Sequence, residues 1–394
     1  MEATVERIGI GMVGHGFMGK AHSQAWRTVA HAFELPLRPE LVALAGRDPG
    51  RAREAADRLG WADVEPDWRA LVGRPDVDLV DICTPGAGHA PIALAALAAG
   101  KHVLCEKPLA NTLAEAEEMV AAADRARDNG VRAMTGFNYR RVPALALAGR
   151  LVAEGRLGPV RHVRARYLQD WLTDPAAPSS WRLDASLAGS GALGDLGAHL
   201  VDLVGFLLPE HPIESIVATT ATFTPERPAP GGGTAPVTVD DAAAWLARCG
   251  PVLATFEVTR CATGRRNGLQ LEIDGERGSI GFDLERLNEL ALYEAGMVPQ
   301  GFRRVLVTEP DDPYISAWWP PGHTLGWEHT FIHQAADLLT AIAENRDPAP
   351  SFADGLSVQR VLDAVARSAA TGAWVRCDGQ DPERQRGGER RAPA

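Results

Sequence analysis

Three glycines, Gly14, Gly16 and Gly19, with Phe17 and Met18 between the last two, follow the apolar run Ile8–Val13. They open a segment, Met18 to about Ala30, that reads as a helix. A backbone turn can approach a diphosphate only where side chains are missing, and a helix starting there offers free N–H groups and the positive end of its dipole. The glycines are therefore read as the phosphate turn of a dinucleotide site; the plainer alternative is a tight turn in a chain with 40 glycines. A second apolar run, Leu41–Ala45, ends in Gly46-Arg47-Asp48, where an acid usually holds the ribose hydroxyls. A small residue followed by arginine accommodates the extra phosphate of NADP, whereas a solvated Arg47 paired with Asp48 would read nothing. NAD and NADP both stay open.

Three later groups could do the chemistry. Thr84-Pro85 ends the run Val77–Cys83 and would lie along a nicotinamide ribose; His89 then opens the next helix, either as a structural histidine or facing the cofactor. Glu106-Lys107-Pro108 ends the run His102–Cys105. A lysine there can hydrogen-bond a substrate hydroxyl and favour its alkoxide, although the tripeptide alone also suits a surface loop. Asp195 and His199 stand four apart and share a face of the helix expected over Asp195–Leu207. The histidine can take a hydroxyl proton while a hydride leaves, and the aspartate can orient it or the substrate. The rival readings are an N-cap with a core histidine, or a metal pair extended by Asp202. No further ligand cluster is evident, so no metal is expected.

These groups need a scaffold. Up to about residue 140, strand-like and helix-like segments alternate, with helices expected over Pro49–Leu59 and Pro91–Ala99 and one opened by the capping box Thr112-Leu-Ala-Glu115. Alternation of this kind implies a parallel sheet with right-handed crossovers. Beyond a helix at Pro143–Glu154 the pattern changes to successive strands: Val160–Tyr167, Ile216–Phe223, Ala242–Arg248, Val252–Thr259, Leu269–Asp274, Ser279–Asp283 and Glu289–Tyr293. Their short turns make a mostly antiparallel sheet. Thr224–Val239 reads as a mobile Pro/Gly-rich loop, and helices return at Trp327–Glu344 and Asp354–Thr371. The fold class is α/β: an N-terminal doubly wound parallel sheet over 1–140, an α/β domain with an open sheet over 141–377 that binds substrate and oligomerises, and a disordered tail over 378–394.

Composition sets outer limits. A chain of 394 residues suits about two domains. A net charge of −11 argues against nucleic acid and anionic membranes as partners. Five cysteines without a C-x-x-C pair, and no signal-like or spanning apolar stretch, fit a reduced cytoplasmic protein.

Taken in order, Gly14–Gly19, Thr84-Pro85, Glu106–Pro108 and Gly191–His199 resemble the glucose–fructose oxidoreductase/inositol dehydrogenase/MocA family, from Ile8 to about Val375. The set is specific where each member alone is not. The resemblance implies a Rossmann domain, a second domain with an open antiparallel sheet, and pairing into a homodimer or homotetramer. It implies NAD or NADP as cofactor and oxidation of a sugar, anhydro-sugar or cyclitol hydroxyl. Lys107, Asp195 and His199 would be catalytic, with His199 as the base. The cofactor would meet Gly14, Gly16, Phe17, Met18, Gly19, Arg47, Thr84, Pro85, His89, Glu106, Lys107, Trp181 and Arg182. Longer strings, among them Gly16-Phe-Met-Gly-Lys-Ala-His-Ser23, Tyr167-Leu-Gln-Asp-Trp171 and Ser180-Trp-Arg182, resemble members that oxidise an anhydro-sugar with NAD. They add Asn138, Tyr139 and Gln169 to Lys107, Asp195 and His199 as sugar contacts, and Trp181 as a cover over an apolar sugar face, or as core packing. Gly86 departs from the asparagine often found after Thr-Pro. Two other activities fit the same fold: glycoside cleavage through transient oxidation with tightly held NAD, and non-catalytic NAD(P) sensing.

Overall fold

The computed structural model describes residues 6–378. The expected tail lies outside them from residue 379 on. The first part builds a six-stranded parallel sheet from β1 (Glu6–Val13), β2 (Leu37–Ala45), β3 (Asp63–Glu65), β4 (Leu79–Ile82), β5 (His102–Cys105) and β6 (Ala133–Thr135), in the order β3-β2-β1-β4-β5-β6. Helices α1 (Phe17–Ala32), α2 (Pro49–Leu59), α3 (Trp68–Val72), α4 (His89–Ala98) and α5 (Leu113–Arg127) connect and cover it. Local signals set several of these ends. Asp48 accepts the Arg51 N–H as the α2 N-cap, Pro49 follows, and Gly60 closes the helix at φ 86°. Thr112 and Glu115 form the reciprocal capping box of α5. Strand order reverses between β1 and β4, so their carboxyl ends, Gly14 and Thr84, flank the crevice where such sheets bind ligands.

The second sheet has nine strands. In chain order these are β7 (Val160–Leu168), β8 (Ser215–Ala221), β11 (Ala242–Cys249), β12 (Val252–Thr259), β13 (Gly268–Gly275), β14 (Gly278–Asp283), β15 (Glu289–Glu294), β16 (Arg303–Leu306) and β17 (Val375–Arg376), arranged β16-β15-β14-β13-β7-β12-β11-β8-β17. Every pairing is antiparallel except β7 with β12. Burial alternates along β11 and β12, so one face is covered and the other open. Helices α6 (Pro143–Ala153), α7 (Ala185–Ala188), α8 (Ala198–Leu207), α9 (His329–Ala343) and α10 (Phe352–Thr371) complete the chain. The covered face packs against α6, α8 and the second half of α10, as Leu145, Leu200 and Val361 show.

Three expectations change. The segment 224–239 is not a loose loop: β9 (Glu226–Pro228) and β10 (Thr234–Pro236) form a hairpin. The Arg227 guanidinium is fully buried and donates to the carbonyls of Asp174 (2.7 Å) and Leu172 (2.8 Å), which ties the segment down. The helix expected from Asp195 begins instead as a π-helical turn, Leu193–Gly197, that runs into α8. The boundary at 140 separates the sheets but not the cores. Helix α9 buries Phe331, Ile332, Ala335 and Leu339 against Ile10, Trp26 and Val29 of the first sheet and α1. Helix α10 puts Phe352 and Leu356 into the first domain's core and Val361 and Leu362 into the second.

Candidate active site

The glycine turn has the backbone that a diphosphate requires. Gly14 adopts φ 99°, and a Cβ there would lie 2.7 Å from the Cys83 carbonyl oxygen. A Cβ on Gly19 would collide with the Gly14 carbonyl. Gly16 has open space around it and caps α1 without a side-chain hydrogen bond, so the first N–H groups of the helix stay available. Across the crevice, the Thr84 hydroxyl is buried and has no hydrogen-bond partner among the described residues. Together these features fit a nicotinamide dinucleotide. Pro85 begins the short turn that follows Thr84. Phe17 is exposed and stacks on Trp327 at 5.4 Å, and Met18 packs into the core beneath it.

At the end of β2, Gly46 leaves room for the His15 ring, whose nearest atoms would sit 2.6 Å from a Cβ. Asp48 is occupied as an N-cap, and Arg47 is exposed and joins no ion pair among the described residues. Of the alternative reading, a solvated Arg47 paired with Asp48, the exposure holds and the pair does not form. Two other cofactor candidates turn elsewhere. Both ring nitrogens of His89 meet backbone carbonyls, Pro108 O at 2.9 Å and Thr84 O at 3.1 Å, so His89 ties the two loops together and does not face the cleft with a free nitrogen. The Glu106 carboxylate points into the first domain, where it meets His22 at 3.0 Å and the Lys107 N–H at 3.2 Å.

Lys107 reaches across the domain boundary. Its Nζ donates to the Asp195 carbonyl at 2.7 Å and to Asp195 Oδ1 at 3.1 Å. The π-helical turn delivers both acceptors: the wider turn carries the Asp195 backbone and side chain toward the lysine, and such turns recur at functional sites. Burial alone would raise the Asp195 carboxyl, but Lys107, with Arg260 and Arg182 behind it, holds it below the ordinary carboxylate range. His199 follows at the start of α8. Its ring lies 4.5 Å from that of Tyr139 and 6.0 Å from that of Tyr167, and its nitrogens have no hydrogen-bond partner among the described residues. Burial first, and Lys107 second, push its pKa well below 6.5, so the imidazole is neutral at ordinary pH.

The sugar-contact candidates gather partly around His199. Tyr139 and Tyr167 share a 3.0 Å hydroxyl pair, and Tyr167 donates to Asn267 at 2.6 Å. Gln169 donates to Asn267 at 2.8 Å and accepts from the Trp171 indole at 2.9 Å. Asn138 is buried and its amide donates to Thr330 of α9, so it fastens that helix. Trp181 is half-exposed, with the Arg182 guanidinium 4.5 Å over its ring; it borders the cleft and is not core packing. Asp202, the tempting third metal ligand, points away and is gripped by Arg140 at 2.6–3.0 Å.

Arg260 was not legible beforehand. It lies at the end of β12, is almost fully buried, and lines the same pocket as Lys107, Trp181, Arg182 and Asp195. It donates to the Asp240 carbonyl at 3.1 Å and sits 5.3 Å over the Trp171 ring. An arginine closing an apolar strand, Thr259-Arg260, was the available signal.

Comparison with known proteins agrees with this arrangement. Residues 8–137 match an oxidoreductase family with an NAD-binding Rossmann fold, and residues 145–281 match the GFO/IDH/MocA C-terminal domain. Levoglucosan dehydrogenase of Pseudarthrobacter phenanthrenivorans is 41% identical over 389 residues, covering 94% of this chain and 98% of that protein. A solved structure of levoglucosan dehydrogenase in complex with NADH and levoglucosan superposes with a TM-score of 0.90 at 42% identity, covering 94% of this chain and 99% of that one. An oxidoreductase domain protein from Kribbella flavida gives a TM-score of 0.92 at 57% identity over 94% of this chain and 99% of that one. With a Rossmann domain, a GFO/IDH/MocA C-terminal domain and near-complete overlap with these relatives, this chain belongs to the GFO/IDH/MocA oxidoreductase family.

Proposed function

We propose that this protein is an NAD(P)-dependent dehydrogenase that oxidises a secondary hydroxyl of a sugar, anhydro-sugar or cyclitol. The observation that carries the reading is the meeting of Lys107 with Asp195, beside a buried neutral His199 whose nitrogens are unengaged among the described residues. An ammonium has three donors, and Asp195 engages two of them, which leaves the third for a substrate oxygen. Asp195 aims the lysine. His199 takes the hydroxyl proton, and Lys107 stabilises the developing alkoxide until the carbonyl forms. The nicotinamide, when bound along Gly14–Gly19 and Thr84, supplies the hydride acceptor. Tyr139 and Gln169 line the sugar side, and Trp181 with Arg182 borders the cleft. Levoglucosan, the substrate named for the relative, sets the first class to test: a compact sugar with an apolar face and several hydroxyls.

Because Arg47 has no ion-pair partner among the described residues and no acid ends β2, we read the site as accepting NADP as well as NAD. The open face of the large sheet suits self-association into a homodimer or homotetramer. It exposes Leu246 and Leu253 and forms a concavity of about 680 Å³ that is remote from the Lys107–Asp195 pair. No helix of the described residues is long and apolar enough to cross a membrane. Five unpaired cysteines suit a cytoplasmic setting. A panel of sugars, anhydro-sugars and cyclitols, assayed with NAD and NADP separately by nicotinamide absorbance, tests the proposal. Stoichiometric reduction with at least one of them is expected. Binding of the cofactor without turnover of any would overturn it.

A further inference from the structure

One buried charged cluster has no part in the hydride-transfer step. His22 is on α1, one turn beyond the glycine loop. Its Nδ1 lies 3.0 Å from both carboxylate oxygens of Asp81 on β4, and its Nε2 lies 3.0 Å from Glu106 Oε1. The three residues are 2%, 0% and 4% exposed. Asp81 also accepts from the Trp26 indole at 2.7 Å, and the Cys83 thiol lies 3.5 Å from it. The Phe331 ring of α9 closes the cluster at 5.3 Å from the imidazole. The Glu106 charge also acts on His89, at the start of α4, and on the buried thiols of Cys83 and Cys105.

Proton counting constrains this set. An ionised carboxylate only accepts, and a neutral imidazole has one N–H for two ring nitrogens. With carboxylates at both nitrogens, a neutral ring would aim a lone pair at an anionic oxygen inside the core, which is costly where water is absent. A ring protonated at both nitrogens satisfies every contact.

We propose that His22 is held as an imidazolium between Asp81 and Glu106 and serves as a positioning residue for Lys107. The proposal rests on the role of Lys107 given above. The route is short. Glu106 Oε1 is fixed by His22, while Oε2 accepts the N–H of Lys107 itself at 3.2 Å. Gly136 packs so close that a Cβ would lie 2.9 Å from Glu106 Oε1, so the carboxylate has little room to choose another rotamer. The backbone from which the lysine departs toward Asp195 is thereby set by a side chain two hydrogen bonds away. The electrostatics point the same way: burial opposes the charge on His22, but the Asp81 carboxylate outweighs it and raises its pKa well above 6.5.

Long-range proton–nitrogen NMR on the histidine-labelled, NAD-loaded full chain tests the charge state, with His22→Gln assigning the signal. Both ring nitrogens of His22 should report as protonated, without titrating, from about pH 6 to 9, whereas an ordinary histidine loses its proton there. A neutral tautomer at any pH in that range overturns the imidazolium. Kinetics test positioning. In His22→Gln, kcat should fall about 10–100-fold, as expected when a catalytic group shifts by about 1 Å, while the KM for NAD changes less than about twofold. Unchanged kcat in the folded variant refutes the positioning role. Should that variant not fold, Glu106→Gln keeps the shape and removes one charge. There the His22 signal should begin to titrate and kcat should fall, and a non-titrating signal with parental kcat refutes the proposal. The NMR result does not depend on whether Lys107 is catalytic, so failure here is distinguishable from failure of the dehydrogenase reading.

Discussion

Lys107→Ala is the perturbation that bears most directly on the proposed chemistry. At a hydrogen-bond distance of about 3 Å and an effective dielectric near 20, an ammonium and an alkoxide attract by roughly 5 kcal/mol. Water entering the truncated site recovers part of that. Removing a single preorganised donor to a developing oxyanion typically costs about 3–4 kcal/mol, or roughly 10²–10³ in kcat. The loss here should lie in that range, because Lys107 is largely buried, with a side chain 14% exposed, and is held by two bonds to Asp195. The dinucleotide contacts proposed for Gly14–Gly19 and Thr84 are untouched by this change, so the Kd for NAD should stay within about threefold of the parent, well under 1 kcal/mol. Steady-state turnover by nicotinamide absorbance and NAD titration by tryptophan fluorescence measure the two effects. Retention of kcat to within about tenfold would refute the role given to Lys107. A parallel loss of NAD binding would instead mean that the lysine serves the cofactor.

Three further outcomes are expected. His199 has its pKa pushed below 6.5 by burial, and the neutral form is the proposed base, so kcat/KM for oxidation should rise with pH only below 6.5 and run flat through neutrality; a limb centred above neutrality in the pH profile would contradict this assignment. Gly16 has open space and an ordinary negative φ, so Gly16→Ala should keep the parental Tm yet weaken NAD about tenfold or more, whereas Gly14→Ala, at φ 99° and against Cys83, should cost stability of about 1–2 kcal/mol. Calorimetry beside NAD titration separates the two, and equal Tm losses would show that the turn serves folding alone. Arg47→Ala should weaken NADP about tenfold or more while leaving NAD within about threefold; equal changes in the two titrations would remove Arg47 from cofactor selection.

Much of this molecule was set by interactions a few residues long. Apolar runs placed α2, β5 and β12 at their observed limits and the capping box placed the start of α5, because strand alternation is local and Asp48, Gly60 and Thr112 act on backbone groups within one helical turn. The glycine spacing also needed no partner to be read, since close approach of backbone to a diphosphate depends on missing side chains. Lys107 and the Asp195–His199 pair were recognisable as chemistry-bearing types. Their meeting was implied only by the family resemblance and not by any local pattern, because 88 residues separate Lys107 from Asp195 and only the packing of two sheets brings them within 3.1 Å. Three features were decided wholly by the tertiary structure. The π-helical turn under Asp195 depends on what that segment must reach across the cleft. Helix α9 carries an apolar face that any core could bury, and it returned to the first sheet. The partners of His22 lie 59 and 84 residues away, so nothing in the α1 segment itself marks that side chain as charged before β4 and β5 close around it. Local pattern fixes the elements; charge inside the core acquires its meaning only when distant strands exclude water from it.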